Sequence, residues 1–127
     1  MDWEQVQNYL LKKPETLIDY PFGDDVKVFK VKGKMFATLS LGTGNEKDTQ
    51  SKMAGRYCIN LKCDPDEAIM LRDIFESVIP GYHMNKKLWN TVILDGSVPQ
   101  GEIERMIDNS FSLVVSKMTK KEQQSIF

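Results

Sequence analysis

The stretch from Val26 to Leu41, VKVFKVKGKMFATLSL, constrains this chain more than any other. β-branched and aromatic residues dominate the first half, and apolar residues recur at every second position of the second. Lys32-Gly33 interrupts them where a tight turn needs a residue tolerant of left-handed backbone. The segment therefore predicts a β-hairpin. Phe29 and Val31 share one face of its first strand, and Met35, Ala37, Leu39 and Leu41 share one face of its second. A third extended run, Arg56 to Cys63, alternates in the same way. It follows a polar gap from Gly42 to Ser51 that reads as a long, mobile loop.

Helical signals bracket these strands. Asp2 stands as an N-cap with Gln5 in capping-box position, and Trp3, Val6, Tyr9 and Leu10 recur at helical spacing until Pro14 ends the run. Pro14 to Asp25, carrying Pro21 and Gly23, reads as an ordered crossing loop. Asp64-Pro65-Asp66-Glu67 opens a second helix, because Asp caps, Pro suits the first turn and acids favour the positive end of the helix dipole. Its apolar face is Ala68, Leu71, Phe75 and Val78, flanked by Ile69 and Ile74, and Pro80-Gly81 stops it.

A second hairpin is expected next, with arms near Tyr82 to Met84 and at Leu88 to Leu94, closed by a turn at Asp95-Gly96. Ser97 or a neighbour caps the last helix, where Ile103, Met106, Ile107, Phe111, Val114 and Met118 recur at three and four. The polar tail after Met118 reads as fraying. End to end the order is helix, three strands, helix, two strands, helix. That order predicts an α+β fold in two layers, an antiparallel sheet with helices packed on one face, in one domain over residues 1–127.

A chain of 127 residues with 41% hydrophobic and 28% charged side chains can bury a core without disulfides or a metal. Cys58 and Cys63 lie five apart in a strand, so they point to opposite faces and read as ordinary buried thiols. The amino-terminal segment Met1-Asp2-Trp3-Glu4 does not resemble a secretory leader, and no apolar run approaches the roughly 20 residues of a membrane span. A cytoplasmic protein without membrane contact is expected.

Catalytic chemistry requires a nucleophile beside a base, a carboxylate pair or a metal cluster. The chain has one histidine, and neither HExxH nor CxxC occurs, so no metal, cofactor or catalytic residue is expected. His83, Asp95 and Ser97 supply the residue types of a hydrolytic triad, but no G-x-S-x-G surrounds Ser97, and helix capping accounts for it. Gly42-Thr43-Gly44 lacks the G-x-x-x-x-G-K-[ST] continuation of a phosphate loop. The chain reads as a binding protein and not an enzyme.

The formal net charge of −1 speaks against coating nucleic acid by bulk charge. The charge is locally uneven. Lys27, Lys30, Lys32 and Lys34 crowd one segment, and Tyr82 to Leu94 carries His83, Lys86 and Lys87 without an acid. In the second segment the lysines suit phosphate, Asn85 suits backbone or a base edge, and Tyr82 and Trp89 offer rings for stacking. The competing reading makes these solvated lysines on hairpin surfaces, with Asn85-Lys86 forming a turn and Tyr82 and Trp89 packed beneath the helices.

Several segments in order, Tyr20-Pro21-Phe22-Gly23, Val28-Phe29-Lys30-Val31 with Lys34-Met35-Phe36-Ala37, Leu61-Lys62-Cys63-Asp64-Pro65, Tyr82-His83-Met84-Asn85-Lys86 with Trp89, and Leu94-Asp95-Gly96-Ser97-Val98-Pro99, resemble the MmcQ/YjbR family. The resemblance spans nearly the whole chain. It implies a two-layer α/β fold related to the frataxin (CyaY) and type III secretion chaperone folds, and a DNA-binding role through a "double wing". The family often places His before the Trp of the second hairpin, where this chain has Leu88. The frataxin likeness suggests iron, but Asp2 and Glu4 of the first helix are met by Lys12 and Lys13, leaving no acidic ridge.

Transferred to this chain, the wings are Lys30, Lys32 and Lys34 on the first hairpin and His83, Asn85, Lys86, Lys87 and Trp89 on the second. DNA is the expected partner of a monomer or weak dimer. The alternative is a protein-protein adaptor or chaperone-like module, which predicts an exposed apolar patch or a symmetric dimer rather than a continuous positive surface.

Overall fold

The structure, a computed structural model, describes residues 1–43 and 52–127. Its elements are α1 (Trp3–Leu11), β1 (Thr16–Asp19), β2 (Val26–Val31), β3 (Lys34–Leu41), β4 (Tyr57–Lys62), α2 (Pro65–Ile74), β5 (Val78–Pro80), β6 (Trp89–Ile93), α3 (Gln100–Ser116) and α4 (Lys120–Ile126). The six strands form one open antiparallel sheet in the order β1-β2-β3-β4-β6-β5. The fold is α+β, as the periodicities predict.

One apolar cluster joins the layers. Phe29, Val31, Ala37, Leu39, Ile59, Leu61, Val78 and Val92 from the sheet meet Val6 and Leu10 of α1, Ala68 and Leu71 of α2, the long apolar face of α3, and Ile126 of α4. Each helix thus buries its stripe against the same sheet face. Phe36 meets Phe111 of α3 edge to face, with ring centroids 5.2 Å apart. Met53, Cys58 and Ile93 form a smaller cluster on the opposite face. Cys63 joins the main core and Cys58 the smaller cluster, so the two thiols point apart as their spacing predicts.

Four expectations are corrected. Thr16–Asp19, read as part of a loop, is β1, the edge strand paired with β2. Only Thr16 and Ile18 of its four residues turn inward, too short a run for period two to register. Val78, read as the last apolar position of the second helix, begins β5, because α2 ends at Ile74 and Phe75 is extended at its C-cap. Pro80 is compatible with β5 because this strand lies at the sheet edge.

The last helix is capped at Pro99 without a side-chain bond, so Ser97 is not its cap. The tail forms α4, opened by a Thr119–Glu122 capping box and anchored by buried Ile126. Most of the predicted long loop, residues 44–51, lies outside the described residues.

Candidate functional site

The β2–β3 turn has the geometry its sequence predicts. Lys32 and Gly33 both take positive φ, 50° and 77°, the two-residue turn whose twist suits a hairpin. Glycine accepts the second of these at no steric cost. Lys32 and Lys34 are exposed. Lys30 is not part of that exposed set, because its Nζ lies 2.9 Å from Asp19 Oδ2 across the β1–β2 pair. That hydrogen bond, seconded by the Tyr20 N–H, holds the Asp19 carboxyl below its usual range.

The second hairpin is built differently from the expectation. Its first arm is β5 and not Tyr82–Met84, and residues 81–88 form the connection. That connection is tied at almost every residue. The Gly81 N–H donates to Trp89 O at 2.9 Å, and a Cβ on Gly81 would sit 2.8 Å from Trp89 Cβ, so only glycine allows the closure. Asn85 Oδ1 accepts the N–H groups of Lys87 and Leu88 at 3.0 and 3.3 Å. Lys86 Nζ donates to Gly81 O at 3.2 Å, and Lys86 O accepts from Arg72 Nη1 at 3.3 Å. Leu88 O accepts the Cys63 N–H at 2.8 Å, and Tyr82 N–H donates to Thr91 Oγ1 at 2.9 Å.

The expected contact residues therefore divide. Asn85 is spent on the loop backbone, as the turn reading predicts. Trp89 is 8% exposed, so its ring is packed into the protein and unavailable for stacking, which corrects its place among the wing residues. His83, Lys86 and Lys87 are exposed, and His83 holds φ 59° with its ring centroid 4.1 Å from that of Tyr82.

Strand register brings the two turns together. Val31 pairs with Lys34, Ala37 with Leu61, and Lys62 with Trp89. The β2–β3 turn, the end of β4 and the 81–88 loop consequently occupy one end of the sheet. α3 adds Lys117 at its C-cap, where it lines a cleft of about 390 Å³ together with Lys34, Lys62 and Glu122. Partial burial, and then the neighbouring Lys117 charge, push the Lys62 ammonium pKa down.

Lys62 and Lys117 were not singled out in the sequence. Their only signals were a lysine ending an alternating run and another ending a helical one. Among the described residues none of Lys32, Lys34, Lys62, Lys86, Lys87 and Lys117 forms an ion pair. The acids that follow β4 are engaged elsewhere. Asp64 caps α2 through the N–H groups of Asp66 and Glu67, and Glu67 is paired with Arg105.

His83 and the Asp95–Ser97 turn lie beyond opposite ends of β6, so the residue types of a triad are not assembled. Ser97 Oγ lies 2.6 Å from Asp95 Oδ1 and 2.8 Å from Ser77 Oγ, and Ser77 Oγ donates to Asp95 Oδ2. Burial pushes the Asp95 carboxyl up, but the Ser77 and Ser97 hydroxyls outweigh it and leave the pKa below the usual value. These bonds close the turn between β6 and α3. Burial, with the charges of Glu67 and Asp64 adding to it, raises the Cys63 thiol to about 11, far from a reactive thiolate. Among the described residues no three His, Cys, Asp or Glu side chains are grouped to hold a metal ion, and no helix is long and apolar enough to cross a membrane.

An open antiparallel sheet, four helices on one face and a lysine-bearing end define a class of two-layer α+β proteins. The YjbR family model matches residues 11–113. The chain belongs to the YjbR family. It is similar to the Escherichia coli O157:H7 uncharacterized protein YbdF, 32% identical over 97% of this chain and 92% of that protein. It is also similar to the uncharacterized protein YyaQ of Bacillus subtilis, 44% identical over 43% of this chain and 46% of that protein. Among solved structures, a Deinococcus radiodurans protein with the DUF419 domain superposes with a TM-score of 0.82 at 33% identity, covering 98% of this chain and 87% of that one. A Pseudomonas syringae protein superposes at 0.77 with 32% identity, covering 89% and 98%.

Proposed function

We propose that this protein is a non-enzymatic binder of polyanions, duplex DNA first among them, and that the lysine-bearing end of the sheet is the contact surface. One observation carries the reading. Two turns remote in sequence lie at the same end of the sheet, on either side of β4, and the six lysines carried at that end form no ion pair among the described residues. Unpaired ammonium groups on a body of net charge −1 make a local positive surface, suited to phosphate and too small for bulk coating. The buried Trp89 and the loop-bound Asn85 leave little to read base edges, so the contact is to the backbone and its sequence preference is weak.

Fluorescence anisotropy with a labelled duplex at several salt concentrations tests the reading. Engagement of three or four phosphates gives a slope of log K against log salt near −3, from about −0.9 for each phosphate neutralised. Absence of binding at low salt overturns it.

A second reading, a protein-binding adaptor, draws on α2. Its outer residues Ile69, Met70 and Ile74 are 54%, 59% and 64% exposed. Such a patch is what a partner surface requires. Replacing all three with Gln leaves DNA affinity unchanged under the first reading.

A further inference from the structure

We infer that the cleft between the start of β3, the end of β4 and the α3–α4 junction is a site for one compact phosphate dianion, a phosphomonoester or free phosphate, gripped by Lys34, Lys62 and Lys117. This deepens the polyanion reading by naming an anchor within its surface, and rests on that reading only for where the phosphate comes from.

Lys34 comes from β3, Lys62 from β4 and Lys117 from the C-cap of α3, so three separate elements bring the lysines to the lining of one cleft of about 390 Å³. The cleft is also lined by Val114 and Met118, both nearly buried, against which lysine stems can lie while their heads face the opening. The one carboxylate lining the cleft, Glu122, is committed to the α4 capping box, where Oε1 is 3.1 Å from both Thr119 N and Thr119 Oγ1. Three cations thus face one acid that is already hydrogen-bonded, and Lys62 is harder to charge first because it is partly buried and then because Lys117 stands close to it.

Like charges held together and partly desolvated are unfavourable until an anion lies between them. A dianion relieves this better than a diester or carboxylate because it carries two charges in a volume that three converging ammonium groups can reach. The last turn of α3 opposes the site weakly through its dipole, which the short reach of that effect leaves secondary to full ammonium charges.

Nuclear magnetic resonance of the lysine side-chain Cε–Hε and Nζ signals, during titration with inorganic phosphate, reads the site directly. Phosphate should shift Lys62 and Lys117 together, with acetate at equal ionic strength leaving them in place. Lys62→Met, which keeps the apolar stem, should weaken phosphate binding about tenfold, the loss of one charge-assisted contact, and Lys117→Gln should do the same. Unmoved Lys62 and Lys117 signals, or equal response to acetate, overturn the inference.

Oligonucleotides with a terminal 5′-phosphate or a 5′-hydroxyl then identify the source. Tighter binding of the phosphorylated strand, abolished by Lys62→Met, assigns a nucleic-acid end. Phosphate binding with no such preference assigns a free phosphate or small phosphomonoester. Duplex binding that persists while phosphate fails to reach Lys62 ends the inference and leaves the polyanion reading standing. The converse result ends that reading and leaves the cleft.

Discussion

Ser110 of α3, fully buried, donates its hydroxyl to the backbone carbonyl of Phe36 at 2.5 Å. Phe36 needs this partner because the β2–β3 register slips there. Phe29 pairs with Ala37 and Lys30 with Met35, leaving Phe36 as the extra residue of a bulge. The bulge turns Phe36 and Ala37 both toward the core, which strict alternation forbids. Ser110 Oγ also accepts the Lys62 N–H at 2.9 Å, so one hydroxyl ties α3 to β3 and β4 beneath the lysine-bearing end.

Ser110→Ala should therefore cost more than a single average hydrogen bond. It strands a buried carbonyl and a partly buried amide, a loss of about 2 kcal/mol. Urea denaturation followed by circular dichroism measures it, with the midpoint falling and the slope unchanged. A loss below about 0.5 kcal/mol would show that the Phe36 carbonyl and the Lys62 N–H find other partners.

The charge reading separates neighbouring lysines. Lys34→Gln should weaken duplex binding and reduce the magnitude of the salt slope by about one, while Lys30→Gln should change neither, because Lys30 already faces Asp19 at 2.9 Å. Anisotropy titrations of both variants decide it. Equal losses would mean that the Lys30–Asp19 pair opens on binding.

Two residues fix the shape of the 81–88 loop without taking part in contact. Asn85→Ala removes the acceptor for the Lys87 and Leu88 N–H groups and should cost about 1 kcal/mol. Gly81→Ala places a methyl 2.8 Å from Trp89 Cβ and 2.9 Å from Trp89 O, and should cost more, about 1–3 kcal/mol, with a shifted Trp89 fluorescence maximum. Thermal melts rank the two, and the opposite order would show that the close approach at Gly81 is relieved easily.

Stability should be level through neutral pH and fall at alkaline pH. The Cys63 thiol rises from 9.0 to about 11, chiefly by burial. The Tyr9 hydroxyl rises from 10.0 to about 12 through burial and its bond to Asp108 at 2.8 Å. Both groups hold their protons more tightly when folded, so the folded state binds more protons and loses stability as pH climbs between the unfolded and folded values. Cys63→Ala should flatten the decline between pH 9 and 11, and Tyr9→Phe that between pH 10 and 12. Urea midpoints across that range supply the check.

What was legible in the sequence follows the reach of local pattern. The β2–β3 hairpin was readable because its turn chemistry and alternation are local, and α3 because its apolar stripe runs for several turns. β5 was hidden because Val78 continues the spacing of Leu71 and Phe75, so helix and strand readings coincided there and tertiary pairing with Val92 decided between them. At the candidate site, the lysines flanking a turn were visible as such. The proximity of Lys62 and Lys117 was not, because it depends on how α3 lies across β3 and β4. Trp89 shows the complementary failure, since an aromatic in a basic segment looks available until its burial is known.

The carboxyl-terminal helix, α4, depends on the core for its stability. Thr119 and Glu122 satisfy each other's backbone N–H groups, Gln123 Nε2 donates to Met118 O at 3.0 Å, and Ile126 is 7% exposed in the main core. A seven-residue helix has no stability of its own, so Ile126 must hold it. Ile126→Ala should lower stability by about 2 kcal/mol, toward the small end for a core isoleucine because the site is terminal and can collapse. Thr119→Ala should cost about 1 kcal/mol by removing the cap. If α4 instead frays freely, hydrogen exchange of the Gln123 amide, bonded to Thr119 O at 3.0 Å, would be unprotected and neither substitution would move the denaturation midpoint.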